Sequence, residues 1–307
     1  MEWIEEPSFQ RVGLVARRSR YAEAVDPAVL DSVRDVAALV EEAEIELLVE
    51  QKTARALDRS SDSDVSRADL GKHCDLVIVV GGDGSLLGVG RELAGSRVPV
   101  IGVNRGALGF LAGVAPEEIA TQLKQVLLGK YVAEDHFLLE AWVERDGEER
   151  SRSVALNDVV VHPGSMARML EISLTIDGQY VYDQRSDGLI VASPTGSTAY
   201  ALSAGGPIMH PSLNAVVIVP MFPHTLTSRP LVVGGDSQLD IRIGAQGYPT
   251  AEASCDSQVH QALEVDDVLH IAKYPVPLKL LYPLEHSFYG ACRSKLDWAS
   301  RLGKTGA

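Results

Sequence analysis

The sequence predicts two domains: an α/β amino-terminal domain (a parallel sheet with helices) over residues 1–135 and a β-rich carboxyl-terminal domain over 136–275. Residues 276–307 are expected to form a tail that packs back on the first domain. Three observations carry this reading. Asp75-Leu76-Val77-Ile78-Val79-Val80 is an apolar run of the kind buried inside parallel sheets, and it runs straight into Gly81-Gly82-Asp83-Gly84. Strand, helix and strand follow one another in the first fifty residues, the order of a right-handed crossover. After Phe137 the rhythm changes to short alternating runs separated by turns.

Arg11 to Ala16 reads as a short apolar strand, and Leu30 to Glu42 places Val33, Val36, Ala37 and Val40 at helical spacing. Ile45 to Val49 reads as a second strand. Ser60 to Arg67, small and charged, reads as a solvated loop. Beyond Val80, a helix over Leu86 to Ala94 and a strand over Val98 to Val103 continue the α/β pattern. The second domain offers strand runs at Leu138–Glu144, Val154–His162, Leu170–Ile176, Leu189–Ala192, Val216–Val219, Leu239–Ile243 and Val268–Ile271. Asp146-Gly147 and Asp177-Gly178 supply turn signals between them. Pro275 to Trp298 is punctuated by proline and then turns helical.

The bulk numbers narrow the function. With 307 residues, 46% apolar and 23% charged, the chain has the composition of a folded protein. A formal charge of -14 argues against nucleic-acid binding, which relies on clustered Lys and Arg. The same charge repels anions, so a phosphate-bearing ligand must be met by local donors or by a divalent cation. Cys74, Cys255 and Cys292 lack paired spacing and read as reduced thiols, which fits the cytoplasm. Met1-Glu2-Trp3-Ile4-Glu5-Glu6 is no signal peptide, and no apolar run approaches the ~20 residues that span a bilayer. The eight histidines include no His-Glu-x-x-His pair and read as structural or surface residues.

The chemistry is expected just after Val80. Glycines let the backbone approach a ligand closely, and the N–H groups of such a loop can face phosphate oxygens. Asp83 repels phosphate, which leaves it three tasks: accepting a hydroxyl proton, meeting a bound metal, or making a local backbone bond in a turn. The dinucleotide fingerprint fails because Leu87 stands where its third glycine belongs. Gly303-Lys304-Thr305 ends like a phosphate-cradling loop, but Trp298 occupies the place of the first glycine. A second segment, Asp187 to Pro207, ends a strand in a Ser/Thr/Gly loop. There, Ala199 to Ala204 opens a helix whose free N–H groups either favour anions or are simply capped.

Together these residues resemble the bacterial NAD kinase (ATP-NAD kinase) family. Four blocks carry the resemblance in order: Gly81-Gly82-Asp83-Gly84; Asn104-Arg105-Gly106-Ala107-Leu108-Gly109-Phe110-Leu111; Leu156-Asn157-Asp158-Val159; and Asp187 to Pro207. Arg293-Ser294-Lys295-Leu296 extends it towards the carboxyl end. The resemblance implies transfer of the ATP γ-phosphoryl group to the 2′-hydroxyl of the adenosine ribose of NAD. Asp83 is then the catalytic proton acceptor, and it contacts NAD together with Gly84. The resemblance also implies NAD contacts from Asn157, Asp158, Arg185, Asp187, Thr198, Ala199, Tyr200 and Ser203, and from Arg168 and Gln258. Gly82, Asn104 and Gly106 either line the donor-phosphate side or pack tightly against the first loop. Gly88 stands where many members carry a basic residue, with Arg91 three positions on, so the donor-phosphate contact stays unassigned. The implied setting is NAD in a cleft between domains, with ATP and Mg²⁺ bridging its phosphates and no metal ligand from the protein alone. The resemblance further implies a cytoplasmic homodimer or homotetramer with neither nucleic acid nor membrane as partner. Two rivals are a lipid kinase of the diacylglycerol type and a non-catalytic NADP sensor.

Overall fold

The structure, a computed structural model, describes residues 7–19, 25–59, 65–105, 109–164, 169–244, 250–296 and 298. Gly106, Arg168 and Gly303-Lys304-Thr305 lie outside the described residues. The chain divides into two units, Met1–Asp135 with Leu278–Ala307, and His136–Pro277.

The first unit alternates strands and helices: β1 (Arg11–Ala16), α1 (Leu30–Glu42), β2 (Glu46–Val49), α2 (Gln51–Ala56), α3 (Arg67–His73), β3 (Leu76–Gly81), α4 (Asp83–Glu92), β4 (Val100–Asn104) and α5 (Lys124–Leu127), with β5 (Val132–His136) at its end. The sheet runs β2-β1-β3-β4, then a strand from the carboxyl end of the chain, then β5. Each neighbouring pair from β2 to β4 is parallel. All six residues of β3 are buried, because side chains on both faces are covered. On one face, Val33, Val36, Ala37 and Val40 of α1 meet Val12, Leu14, Leu76 and Ile78.

Three local expectations fail in this unit. Arg67 does not end a solvated loop but opens α3 with only 7% exposure. Its guanidinium lies 3.7 Å from both Glu50 and Glu92 and donates to the Ala16 carbonyl, partners that a local reading cannot see. The helix after the glycine loop starts at Asp83, three residues before Leu86, because the glycines of α4 depress the helical signal. The strand expected from Val98 starts at Val100.

The second unit holds two six-stranded antiparallel sheets. Its strands are β6 (Leu139–Arg145), β7 (Glu148–Ala155), β8 (Asp158–His162), β9 (Leu170–Ile176), β10 (Gln179–Ser186), β11 (Gly188–Ala192), β12 (Ala215–Met221), β13 (Leu231–Gly234), β14 (Leu239–Ile243), β15 (Thr250–Cys255), β16 (Val259–Glu264) and β17 (Val268–Lys273). One sheet is ordered β10-β9-β14-β17-β6-β7 and the other β13-β12-β11-β8-β15-β16. Alternate residues of both sheets, such as Leu139, Ala141, Val159, Val161, Ile172, Leu189 and Ile241, share one core. The second sheet also covers a smaller core on its other face, where Val160, Ile190, Val217 and Val219 meet Ala201 and Met209. Burial on both faces explains why β11 reads as an unbroken apolar run.

Two expectations are corrected here. Val154–His162 is two strands, broken at Leu156-Asn157, and the helix expected over Ala199 to Ala204 is the single turn α6 (Tyr200–Ser203) after a 3-10 turn at Thr195–Thr198. A single turn is too short to act as a helix dipole. The chain then returns to the first sheet with β18 (Leu278–Tyr282), parallel to β4, and ends its described course in α7 (Phe288–Leu296). Cys74, Cys255 and Cys292 are buried and do not form disulfides among the described residues. Among the described residues no helix is long and apolar enough to cross a membrane.

Candidate functional site

In the first unit, β3 ends at Gly81, Gly82 is the extended N-cap of α4, and Asp83 is the first helical residue. The Asp83 carboxylate turns back to the segment after β4. Its Oδ2 accepts from the Phe110 N–H at 2.7 Å, and its Oδ1 accepts from the N–H groups of Leu111 and Ala112 at 3.2 Å each. Gly109 lies directly against this carboxylate, where any Cβ would overlap the Asp83 oxygens. The glycine in the second sequence block therefore makes room for the aspartate in the first. Of the three tasks open to Asp83, backbone binding is real, though it joins two loops rather than closing one turn.

The cations around this loop are largely committed. The Arg105 guanidinium donates to the Ala28 carbonyl at 2.8 and 3.2 Å, and Arg17 bonds the Arg105 carbonyl and pairs with Asp26 at 2.8 Å. Among the buried polar atoms without a hydrogen-bond partner in the described residues are Asn104 Oδ1, at the end of β4, and Lys295 Nζ, on α7. Lys295 lies 6.0 Å from the Phe110 ring centroid. Burial lowers its pKa, and the Asp83 charge opposes that shift. An unpaired buried ammonium is costly, so this position suits an anion. Tyr282 packs against Gly113 on the same loop, and burial holds its hydroxyl well above the usual phenol range.

The second unit repeats the device with a residue the sequence reading missed. Asp256, 6% exposed, sits in the turn between β15 and β16 and accepts from the backbone N–H groups of Leu156, Asn157 and Asp158 at 3.1, 2.7 and 3.3 Å. This carboxylate is what breaks the run between β7 and β8, since those amides leave the strand ladder to meet it. Gln258 stands two residues on, exposed in the same turn. Asp158 is 3% exposed. Burial, and then the Asp256 charge, push its pKa up to about 7.

The Ser/Thr/Gly loop closes over the same spot. Ser193 donates its N–H to the Asn157 carbonyl at 2.9 Å and its hydroxyl to the Leu156 carbonyl at 2.5 Å. Gly196 presses on the Asn157 backbone so closely that a Cβ there would overlap the carbonyl oxygen. Thr195 Oγ1 meets His136 Nδ1 at 2.8 Å, and Thr198 bonds the Thr195 carbonyl at 3.2 Å. Asn157, Asp158, Thr198, Ala199 and Gln258 thus gather around the Ala192 end of β11, whose last residue pairs with Asp158.

Arg185 and Asp187 stand at the opposite end of that strand, near Gly188, with the Asp187 N–H bonded to the Met221 carbonyl at 2.9 Å. The predicted NAD residues of this unit are therefore split between two ends. Tyr200 and Ser203 face a cavity of about 470 Å³ whose walls include Met221, Phe222 and Arg229. The Arg185 carbonyl accepts from the His224 N–H at 2.9 Å, which ties β10 to the segment walling that cavity.

Comparison with known proteins places these features. The profile of the ATP-NAD kinase N-terminal domain matches residues 12–131, and that of the C-terminal domain matches residues 156–282. The NAD kinase of Ectopseudomonas mendocina is 50% identical over 295 residues, covering 96% of this chain and 98% of that protein. The NAD kinase of Hahella chejuensis is 54% identical over 260 residues, covering 85% and 88%. Among solved structures, yeast NADH kinase complexed with NADH superposes with a TM-score of 0.86 at 23% identity, over 98% of this chain and 90% of that one. An NAD kinase from Archaeoglobus fulgidus in complex with ATP gives 0.68 at 24% identity, over 89% and 94%. At that identity these two structures establish the shared fold.

Proposed function

We propose how this chain, which belongs to the ATP-NAD kinase family and transfers the ATP γ-phosphoryl group to the 2′-hydroxyl of the adenosine ribose of NAD, distributes that reaction over its residues. Asp83 is the catalytic residue. Its Oδ2, bonded to one amide, keeps a lone pair for the ribose hydroxyl and takes its proton as the phosphorus–oxygen bond forms. The carrying observation is the pairing of this anchored carboxylate with the unpartnered Lys295 ammonium in the same unit. Lys295 meets the donor phosphates in place of the basic residue missing at Gly88. Gly82 lines the donor-phosphate side and Gly84 contacts NAD, Gly106 is assigned to the donor side on the sequence alone, and Asn104 Oδ1 offers an acceptor.

Asn157 and Asp158 hold NAD, the amide on a base edge and the carboxylate on ribose hydroxyls. Thr198, Ala199 and Gln258 act around them, Arg168 is assigned to NAD on the sequence alone, and Tyr200 and Ser203 contribute from the 470 Å³ cavity. Arg185 and Asp187, at the far end of β11, contact the dinucleotide away from Asn157. The chain works as a homodimer or homotetramer in the cytoplasm. Phe222 and Leu226, 80% and 93% exposed beside the cavity, are the kind of apolar surface that self-association covers.

Among the described residues no cluster of His, Cys, Asp or Glu ligand atoms surrounds Asp83, whose oxygens are turned to amides. Mg²⁺ therefore fits as an ion carried on the donor phosphates and water, where it neutralises phosphate charge. A second reading confines Asp83 to holding the Phe110–Ala112 amides, and the three hydrogen bonds favour it. Incubating D83N with NAD, ATP and Mg²⁺ and following NADP, alongside urea unfolding of the same variant, separates the readings. The proposal expects turnover to fall by about 10²–10⁴ while the variant stays folded under assay conditions. Near-normal turnover in the folded variant would leave Asp83 a loop anchor alone.

A further inference from the structure

We propose a transition-metal site formed by His162, Glu252 and His260 in the second unit. His162 ends β8 and is the cross-strand partner of Glu252 on β15, while His260 on β16 pairs with Ser254 and so lies diagonally across from Glu252. All three side chains project from the face opposite Val161, Ala253 and Leu263, away from the shared core. One ligand atom from each lies within 4.8 Å of the other two, and His260 Nδ1 is 3.5 Å from Glu252 Oε2. A tetrahedral zinc ion with bonds of about 2.0–2.2 Å separates its ligand atoms by roughly 3.3–3.5 Å, so modest closure completes the set. Two imidazoles and one carboxylate form a zinc donor set that leaves a fourth position for water. Imidazole nitrogens favour Zn²⁺, Co²⁺, Ni²⁺ or Cu²⁺ over Mg²⁺, which prefers six oxygens.

The sequence hides this site because its ligands are spread over three strands. Gly164 donates its N–H to His162 Nδ1 at 3.1 Å, which places the ring proton on Nε2. A metal on either nitrogen therefore displaces the Gly164 amide, and metal entry is coupled to movement at the end of β8. The other end of the same strand is held by Asp256 through the Asn157 and Asp158 amides. The metal is a second clasp between β8 and the β15–β16 hairpin, separate from the Mg²⁺ that accompanies a nucleotide.

The test is a Co²⁺ titration of the untagged full chain in millimolar Mg²⁺, followed by visible absorption and by the Gly164 amide resonance. Expected are one Co²⁺ per chain with low-coordinate visible bands, displacement by Zn²⁺, and a shifted Gly164 signal. Loss of even an outer partner of a metal ligand costs about 10–100-fold in affinity, so E252Q and H260A should each weaken Co²⁺ at least that far. Both variants should keep the far-ultraviolet circular dichroism and the NADP-forming activity of the wild type. Absence of Co²⁺ bands, unchanged affinity in both variants, or intense near-ultraviolet bands from thiolate ligation would overturn the site.

Discussion

Asp83 and Asp256 perform the same local act in different surroundings. Each carboxylate gathers three consecutive backbone amides from a distant segment and so fixes a loop. Asp83 does so partly exposed, with an unpartnered lysine in the same unit. Asp256 does so buried beside a second carboxylate, Asp158, whose pKa is raised by burial and then by the Asp256 charge. An anchored carboxylate near a cation can serve anionic chemistry, whereas a buried carboxylate of raised pKa beside a second one is suited to meeting a hydroxyl-bearing ligand.

The largest expected effect breaks the first arrangement. D83N removes the proton acceptor and turns an NH₂ group towards amide donors, so turnover should fall by about 10²–10⁴. The melting temperature should fall with it, because part of the loop anchoring is lost. A variant with normal turnover in a steady-state NADP assay would remove Asp83 from the chemistry.

The second arrangement breaks next. D256A strands three amides, each hydrogen bond to a charged acceptor being worth about 1.5–3 kcal/mol, and should lower stability and NAD affinity together. Calorimetric NAD titrations and urea unfolding measure both, and unchanged values would deny Asp256 its anchoring role. G196A, whose Cβ would overlap the Asn157 carbonyl oxygen, should resemble it.

A subtler effect concerns Asp158. Its folded pKa of about 7 lies above the ordinary carboxylate value, so between about pH 4 and 7 the folded chain holds a proton the unfolded chain has lost. Its contribution to stability is therefore present at low pH and declines, by about 1.4 kcal/mol per pH unit at most, as pH rises to 7. D158N should thus gain stability relative to wild type as pH rises from 4 to 7, with no further gain above. If Asp158 accepts ribose hydroxyls, wild-type NAD affinity should rise across pH 7 and D158N should lose that dependence. A stability difference that is flat with pH would show that Asp158 titrates normally.

The smallest expected effect is at Lys295. K295M should weaken ATP more than NAD in direct titrations, since its ammonium is assigned to the donor phosphates. Equal weakening of both would make Lys295 a packing residue.

The difference between the two anchors also explains what was legible. The Gly81–Gly84 loop was plain because strand, glycines and acid are contiguous, and the α/β-then-β architecture followed from burial patterns that repeat within each segment. Asp256 was invisible because it acts on an amide 99 residues earlier in the chain. Lys295 carries no local signal beyond its carboxyl-terminal block, since its place near Asp83 depends on the return of β18 to the first sheet. Arg67 was misread for the same reason: its polar composition suits solvent, and only folding brings Glu50 and Glu92 to it. Local pattern showed where the backbone turns. Which side chains crossed those turns was set by tertiary pairing.

The central claim is that the first carboxylate acts in the chemical step and the second region in holding NAD. Single-turnover NADP formation, measured alongside NAD affinity in D83N and D158N, tests it most directly. The account predicts that D83N loses the chemical rate while binding NAD within a few-fold of wild type, and that D158N binds NAD weakly yet turns over at saturation. The reverse pattern, weak NAD binding in D83N with normal chemistry once bound, would contradict it.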